Sequence, residues 1–149
     1  MSIAQLQMVA EWEQQKEQKL LQTFQLAQQY VQENKKKLAG LEQYRLDYLR
    51  QAQNKAKQGM AANTYGQHQQ FIGKLDKACE QQSKIVSNAL LVADQRRMQW
   101  LQQQKKRKAV DMLLAKQQHS LHLRQEKQEQ HMLDELALQS VIRRASGRF

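Results

Sequence analysis

Proline is absent from this chain of 149 residues, glycine occurs five times, and aromatic residues make up only 6%. Nothing interrupts a helix by withholding an N–H, and so few large apolar rings argue against an ordinary globular core. One cysteine, Cys79, excludes an intramolecular disulfide framework and a multi-cysteine metal site, and fits a reducing compartment. No apolar run approaches the roughly 20 residues of a membrane span. The N-terminus, Met1-Ser2-Ile3-Ala4-Gln5, lacks the basic segment and apolar run of a cleaved secretory signal. The expectation is a soluble cytoplasmic chain.

What the chain has in quantity is glutamine, at 30 residues, together with Ala, Leu, Lys, Arg, Glu and Met, all good helix formers. A mean hydropathy of -0.87 and a net charge of +10 are also compatible with disorder, so periodicity has to decide. From Leu20 onward, positions alternate at spacings of four and three: Leu20, Phe24, Ala27, Val31, Asn34, Leu38, Leu41, Arg45, Tyr48, Ala52. A second series runs Ile72, Leu75, Cys79, Gln82, Val86, Ala89, Ala93, Arg96, Trp100, then more sparsely through Val110, Leu114, Leu121, Leu138 and Ile142. These are heptad seams, and disordered chains do not carry them. Residues 101–135 place many polar side chains at seam positions, which predicts a looser or solvent-exposed helix there.

Between the two series Gly59 and Gly66 sit close to Asn63 and Thr64. Gly59 can supply the left-handed residue that closes a first helix, and Thr64 with Gln67 has the spacing of a capping box for a second. The fold predicted is all-α: one antiparallel two-helix coiled-coil hairpin over 1–149, with helix 1 at about 2–58, a turn at about 59–64, helix 2 at about 65–142 and a frayed tail at 143–149. Centring the turn near residue 62 pairs Ala52 with Ile72, Arg45 with Cys79, Leu38 with Val86, Val31 with Ala93, Phe24 with Trp100, Glu17 with Arg107, Ala10 with Leu114 and Ile3 with Leu121. At about 1.5 Å per residue the helices would be roughly 85 and 115 Å long, so helix 2 overhangs.

The positive charge is concentrated. Residues 35–58 carry seven basic and two acidic groups, and 95–127 carry nine basic and two acidic. Lys35-Lys36-Lys37 and Lys105-Lys106-Arg107-Lys108 form two separate basic girdles. Such clusters can neutralise phosphates, but they contain almost no interleaved aromatics and match no nucleic-acid reading motif. A solvated face or an acidic protein partner is the preferred reading, and nucleic acid is not expected as a partner.

One stripe exceeds what a hairpin seam needs. Lys37, Leu41, Tyr44 and Tyr48 follow i, i+4, i+7, i+11, and Phe71, Leu75, Ala78 and Gln82 repeat that spacing on helix 2. Tyr44 and Phe71 lie beside the seam, and exposed apolar patches with tyrosine mark partner sites. Trp12, Met8 and Val9 lie off the seam read from Leu20, implying a phase change near residue 16 or a second apolar face. His119 and His122 share a helical face with only Glu126 near them, so no metal site is expected; Cys79 falls on the seam and reads as a small hydrophobe. There is no phosphate loop, nucleophile elbow or pocket in which pKa values could be tuned. No catalytic activity, cofactor or metal is expected.

The segment Leu41-Glu42-Gln43-Tyr44-Arg45-Leu46-Asp47-Tyr48, paired across a short turn with Tyr65-Gly66-Gln67-His68-Gln69-Gln70-Phe71-Ile72-Gly73-Lys74-Leu75-Asp76-Lys77-Ala78 and Glu80-Gln81-Gln82, resembles the FliJ family of the flagellar protein export apparatus. The motif covers about residues 37–82; length, charge and layout agree over the rest. The resemblance implies a hairpin similar to the central γ stalk of rotary ATPases. It further implies association with the hexameric export ATPase FliI and its regulator FliH, promotion of ring assembly, and contact with the export gate protein FlhA and with export chaperones. It places the chain in the cytoplasm, peripheral to the inner membrane through its partners only. The positions such proteins use toward the gate map onto Lys37, Leu41, Tyr44, Tyr48, Phe71, Leu75, Ala78 and Gln82. By analogy with a stalk, the ATPase contact falls at the paired termini, on Ile3, Leu6, Trp12, Val110, Leu114, Leu121, Leu138 and Ile142. The alternative is a basic coiled coil that grips nucleic acid or self-associates as a scaffold.

Overall fold

The computed structural model describes residues 1–147 and is all-α, with α1 over Ile3–Lys57 and α2 over Ala62–Ser146 packed against each other as a helical hairpin. No strand occurs among the described residues. Two compact units divide the chain, one from residues 1–16 and 103–149, the other from 17–102. The last two residues of the tail expected to fray, Arg148 and Phe149, lie outside the described residues.

Helix α1 starts at a capping box that sequence reading passed over. The Gln5 backbone N–H donates to Ser2 Oγ at 3.2 Å and the Ser2 backbone N–H donates to Gln5 Oε1 at 3.0 Å, so two otherwise free donors are satisfied reciprocally. It ends at Gly59, whose φ of 92° places it in the left-handed region, with its N–H donating to the Ala56 carbonyl at 3.2 Å. That is the role expected of this glycine. The start of α2 differs from expectation. Ala61 accepts the first helical bond, from the Tyr65 N–H at 3.1 Å, so Thr64 sits inside the first turn and its capping box with Gln67 does not form.

Along α1, positions 3, 6, 10, 13, 17, 20, 24, 27, 31, 34, 38, 41, 45, 48 and 52 are all buried or half-buried, an unbroken alternation of three and four. No phase change occurs near residue 16. The seam passes straight through Glu13 and Glu17, and Met8 and Trp12 point out of it, 70% and 56% exposed. These two form a second apolar face.

In the unit of residues 17–102, Val31, Ala89 and Ala93 form the core with Ala27 packed on it. Phe24 stacks on Trp100 at 5.8 Å between ring centres. Val31 with Ala93 and Phe24 with Trp100 are expected layers, large against small and ring against ring. The polar contacts take other partners. Asn34 bonds Gln82, Arg45 pairs with Asp76 instead of Cys79, and Tyr48 meets His68 and Phe71. Each partner is nearer the turn than a centre at residue 62 allows. The loop between the helices is residues 58–61, two to three residues earlier than that centre, and these polar groups reach toward it while the two layers above keep their expected partners.

Two seam glutamines of α2 make the same kind of bond. Gln82 Nε2 donates to the Asn34 backbone carbonyl at 3.1 Å and to Asn34 Oδ1 at 2.9 Å. In the other unit, Gln103 Nε2 donates to the Glu13 backbone carbonyl at 3.1 Å and also to the Glu13 carboxylate. Asn34 and Gln103 are 4% and 7% exposed. Buried polar groups survive in a seam only when bonded, and here each amide is bonded twice across the hairpin.

Within the unit of residues 1–16 and 103–149, Leu6 is 3% and Ala10 9% exposed, while Val110, Leu114 and Gln117 are half-buried. Beyond Gln117 every described residue of α2 is exposed. Leu121 is among them, so the covered part of α2 ends before the layer assigned to Leu121 with Ile3.

Candidate functional site: an aromatic cluster beside the turn

The residues nearest the turn place four rings together. Tyr48 on α1 lies 4.6 Å from Phe71 and 5.3 Å from His68 between ring centres. Its hydroxyl is hydrogen-bonded to His68 Nδ1. Tyr44, one turn away on the same helix face, meets the edge of Phe71 at 6.3 Å and 85°. Aromatic pairs at such separations and tilts are favourable beyond their buried area. Arg45 and Asp76 form an ion pair between the helices here, both partly exposed, so it orients the surface more than it stabilises the fold.

The eight positions assigned to the gate are spread over different depths. Lys37 and Tyr44 are exposed, Tyr44 by 51%. Leu41, Tyr48, Phe71, Ala78 and Gln82 are half-buried. Leu75 is buried at 7%, which makes it a support beneath the surface. Gln82 spends its amide on Asn34. The part of this set open to solvent is therefore Tyr44, the outer edges of Tyr48 and Phe71, Ala78 and Lys37.

His68 is the member that sequence reading missed. The signal was present: residues 68, 71 and 75 share one face of α2 at spacings of three and four, but a histidine next to two glutamines reads as solvated surface. Toward the turn, a cleft of about 360 Å³ lies under His68, lined also by Leu49, Ala52, Met60, Tyr65 and Ile72. Apolar edges around a few polar tips suit the docking of side chains. They supply no nucleophile, oxyanion hole or metal ligand set.

The positions assigned to the ATPase belong to the unit of residues 1–16 and 103–149. Ile3, Val110 and Leu114 are half-buried and Leu6 is buried, so these four hold the two helices together. Trp12 is exposed, with Lys16 Nζ 3.4 Å from the centre of its ring, a cation–π contact. Leu121, Leu138 and Ile142 are 43%, 61% and 57% exposed on the uncovered part of α2. Among the described residues there is no group of three or more His, Cys, Asp or Glu able to hold a metal ion. His122 Nε2 lies 3.0 Å from Glu126 one turn on. No helix among them is long and apolar enough to cross a membrane.

The family model described as Flagellar FliJ protein matches residues 1–146. No curated protein and no solved structure matches the chain.

Proposed function

The chain belongs to the flagellar FliJ protein family, a non-catalytic component of the flagellar export apparatus, and from that premise we propose that it is a stalk linking the export ATPase to the export gate. The aromatic cluster of Tyr44, Tyr48 and Phe71 beside the turn is the gate contact, toward FlhA. The paired termini engage the hexameric ATPase FliI and promote its assembly, with Trp12, Leu121, Leu138 and Ile142 as the contacting side chains and Leu6, Ile3, Val110 and Leu114 supporting them. FliH and the export chaperones complete the set of partners, all at the cytoplasmic face of the inner membrane.

The observation that carries this reading is the half-exposed Tyr44 packed edge-on against Phe71 beside the turn. A hairpin seam needs neither ring. Tyrosine edges on a rigid helical face lose little side-chain entropy on binding and are favoured as interface anchors. Tyr44→Ala/Tyr48→Ala is expected to weaken binding to the cytoplasmic domain of the gate protein at least tenfold while far-ultraviolet circular dichroism stays unchanged. Gate affinity equal to that of the unaltered chain would sink the assignment.

A further inference from the structure

The unit of residues 1–16 and 103–149 has two unlike flanks. Its seam runs through Ala10 and Glu13 on α1 and through Gln103, Arg107, Val110 and Leu114 on α2, with Gln103 bonded to Glu13. The residue before each seam position lies to one side of the seam, and in an antiparallel pair those sides of the two helices form one flank. Here they are Val9, Trp12 and Lys16 on α1 and Lys106, Ala109, Leu113 and Lys116 on α2. Trp12 is 56% and Leu113 47% exposed, Lys106 and Lys116 are exposed, and no acidic residue interrupts the set. The residues after the seam positions form the other flank, with Glu11 and Gln14 on α1 and Gln104, Lys108 and Asp111 on α2. Arg107 turns to that side, its Nη1 donating to Asp111 at 2.9 Å.

One flank thus interleaves three lysines with tryptophan, leucine and valine, and the other is polar with both signs of charge. Lysine is depleted from the cores of protein interfaces, and a nucleic-acid duplex offers nothing to Trp12 or Leu113. Lysine alternating with tryptophan and aliphatic side chains is the pattern of a helical face that lies on a membrane. Tryptophan seats at the headgroup level, and lysine lays its apolar stem along the surface while its ammonium reaches phosphate. Lys16 already holds that posture, its Nζ 3.4 Å from the centre of the Trp12 ring. The cytoplasmic leaflet supplies the complementary negative potential.

We propose that this flank binds an anionic lipid surface directly, with Trp12 and Leu113 entering the headgroup layer and Lys16, Lys106 and Lys116 meeting lipid phosphates. The proposal goes beyond the stalk reading, in which partners alone hold the chain at the membrane. It shares Trp12 with the ATPase contact but rests equally on Lys106, Leu113 and Lys116, which lie outside it.

Trp100→Phe leaves Trp12 as the one tryptophan of the full chain, and its emission is followed as vesicles are added. Vesicles of phosphatidylcholine mixed with phosphatidylglycerol are expected to shift the emission to the blue, and tail-brominated lipid in them to quench it. Phosphatidylcholine alone is expected to do neither. At roughly fivefold per lysine near the surface, Lys106→Glu/Lys116→Glu should weaken vesicle binding at least tenfold with circular dichroism unchanged. Lys77→Glu/Lys84→Glu, the same change of charge on the outer face of α2, should weaken it less than threefold. No shift with anionic vesicles, equal losses from the two pairs of reversals, or a shift produced by poly-glutamate or duplex DNA instead of vesicles would each overturn the proposal. The vesicle assay contains no partner protein, so the proposal and the stalk reading can fail separately.

Discussion

Replacing Gln82 tests how a hairpin with so polar a seam holds its register. Gln82→Ala removes the bonds to the Asn34 carbonyl and to Asn34 Oδ1, at 3.1 and 2.9 Å. Asn34 is 4% exposed, so its side-chain oxygen then faces the seam with no donor. At roughly 1–3 kcal/mol for a buried acceptor left without its donor, the single change should cost about 1–3 kcal/mol. Asn34→Leu should cost less, about 1 kcal/mol, because Gln82 Nε2 loses only Asn34 Oδ1 and keeps the backbone carbonyl of residue 34. The double change Asn34→Leu/Gln82→Leu leaves nothing unsatisfied and places two aliphatic side chains in the seam, which is often neutral or stabilising. Urea unfolding of the four proteins, followed by circular dichroism, gives the coupling as a double-mutant cycle. A double variant that loses the sum of the two single costs would refute the reasoning.

Four further changes separate fold from function. Gly59→Ala meets no atom within 4 Å but must hold a φ of 92°, so it should lower stability in urea by about 1–2 kcal/mol through backbone strain alone. Trp100 Nε1 is buried with no hydrogen-bond partner among the described residues; Trp100→Phe should therefore stay within about 1 kcal/mol of the unaltered chain, whereas Phe24→Ala, which empties the other half of the stack, should cost about 3 kcal/mol by the same unfolding assay. Trp12→Ala removes an exposed side chain, so thermal stability should change by no more than about 0.5 kcal/mol while stimulation of the export ATPase falls.

The architecture was legible because the three–four spacing survives wherever aliphatic or small residues occupy it, from Leu20 through Ala52 and from Ile72 through Trp100. It was hidden where polar side chains do seam work. Glu13 and Gln103 are half-buried and buried, bonded across the hairpin, and hydropathy alone reads them as gaps, whereas the regular series on either side carried Asn34 and Gln82 into the seam. That is why residues 8–12 left a change of phase open beside a second apolar face, when the seam ran on through Ala10 and Glu13. The register depended on one assumption, the centre of the turn, and the two caps decided it. Gly59 announced itself by type, whereas Ala61 begins α2 with no capping side chain to mark it. At the aromatic cluster, Tyr44 and Phe71 could be found by spacing. Burial of Leu75, engagement of Gln82 and recruitment of His68 all depend on where α2 sits against α1, which spacing within one helix does not contain.

The stalk account stands or falls on the ATPase. The most direct measurement is the rate of ATP hydrolysis by the purified flagellar export ATPase, titrated with this chain at protein concentrations where the hexamer is only partly assembled. The account predicts that the chain raises the rate and the hexamer fraction together, and that Trp12→Ala blunts both. Hydrolysis and assembly that stay unchanged at saturating chain would contradict it.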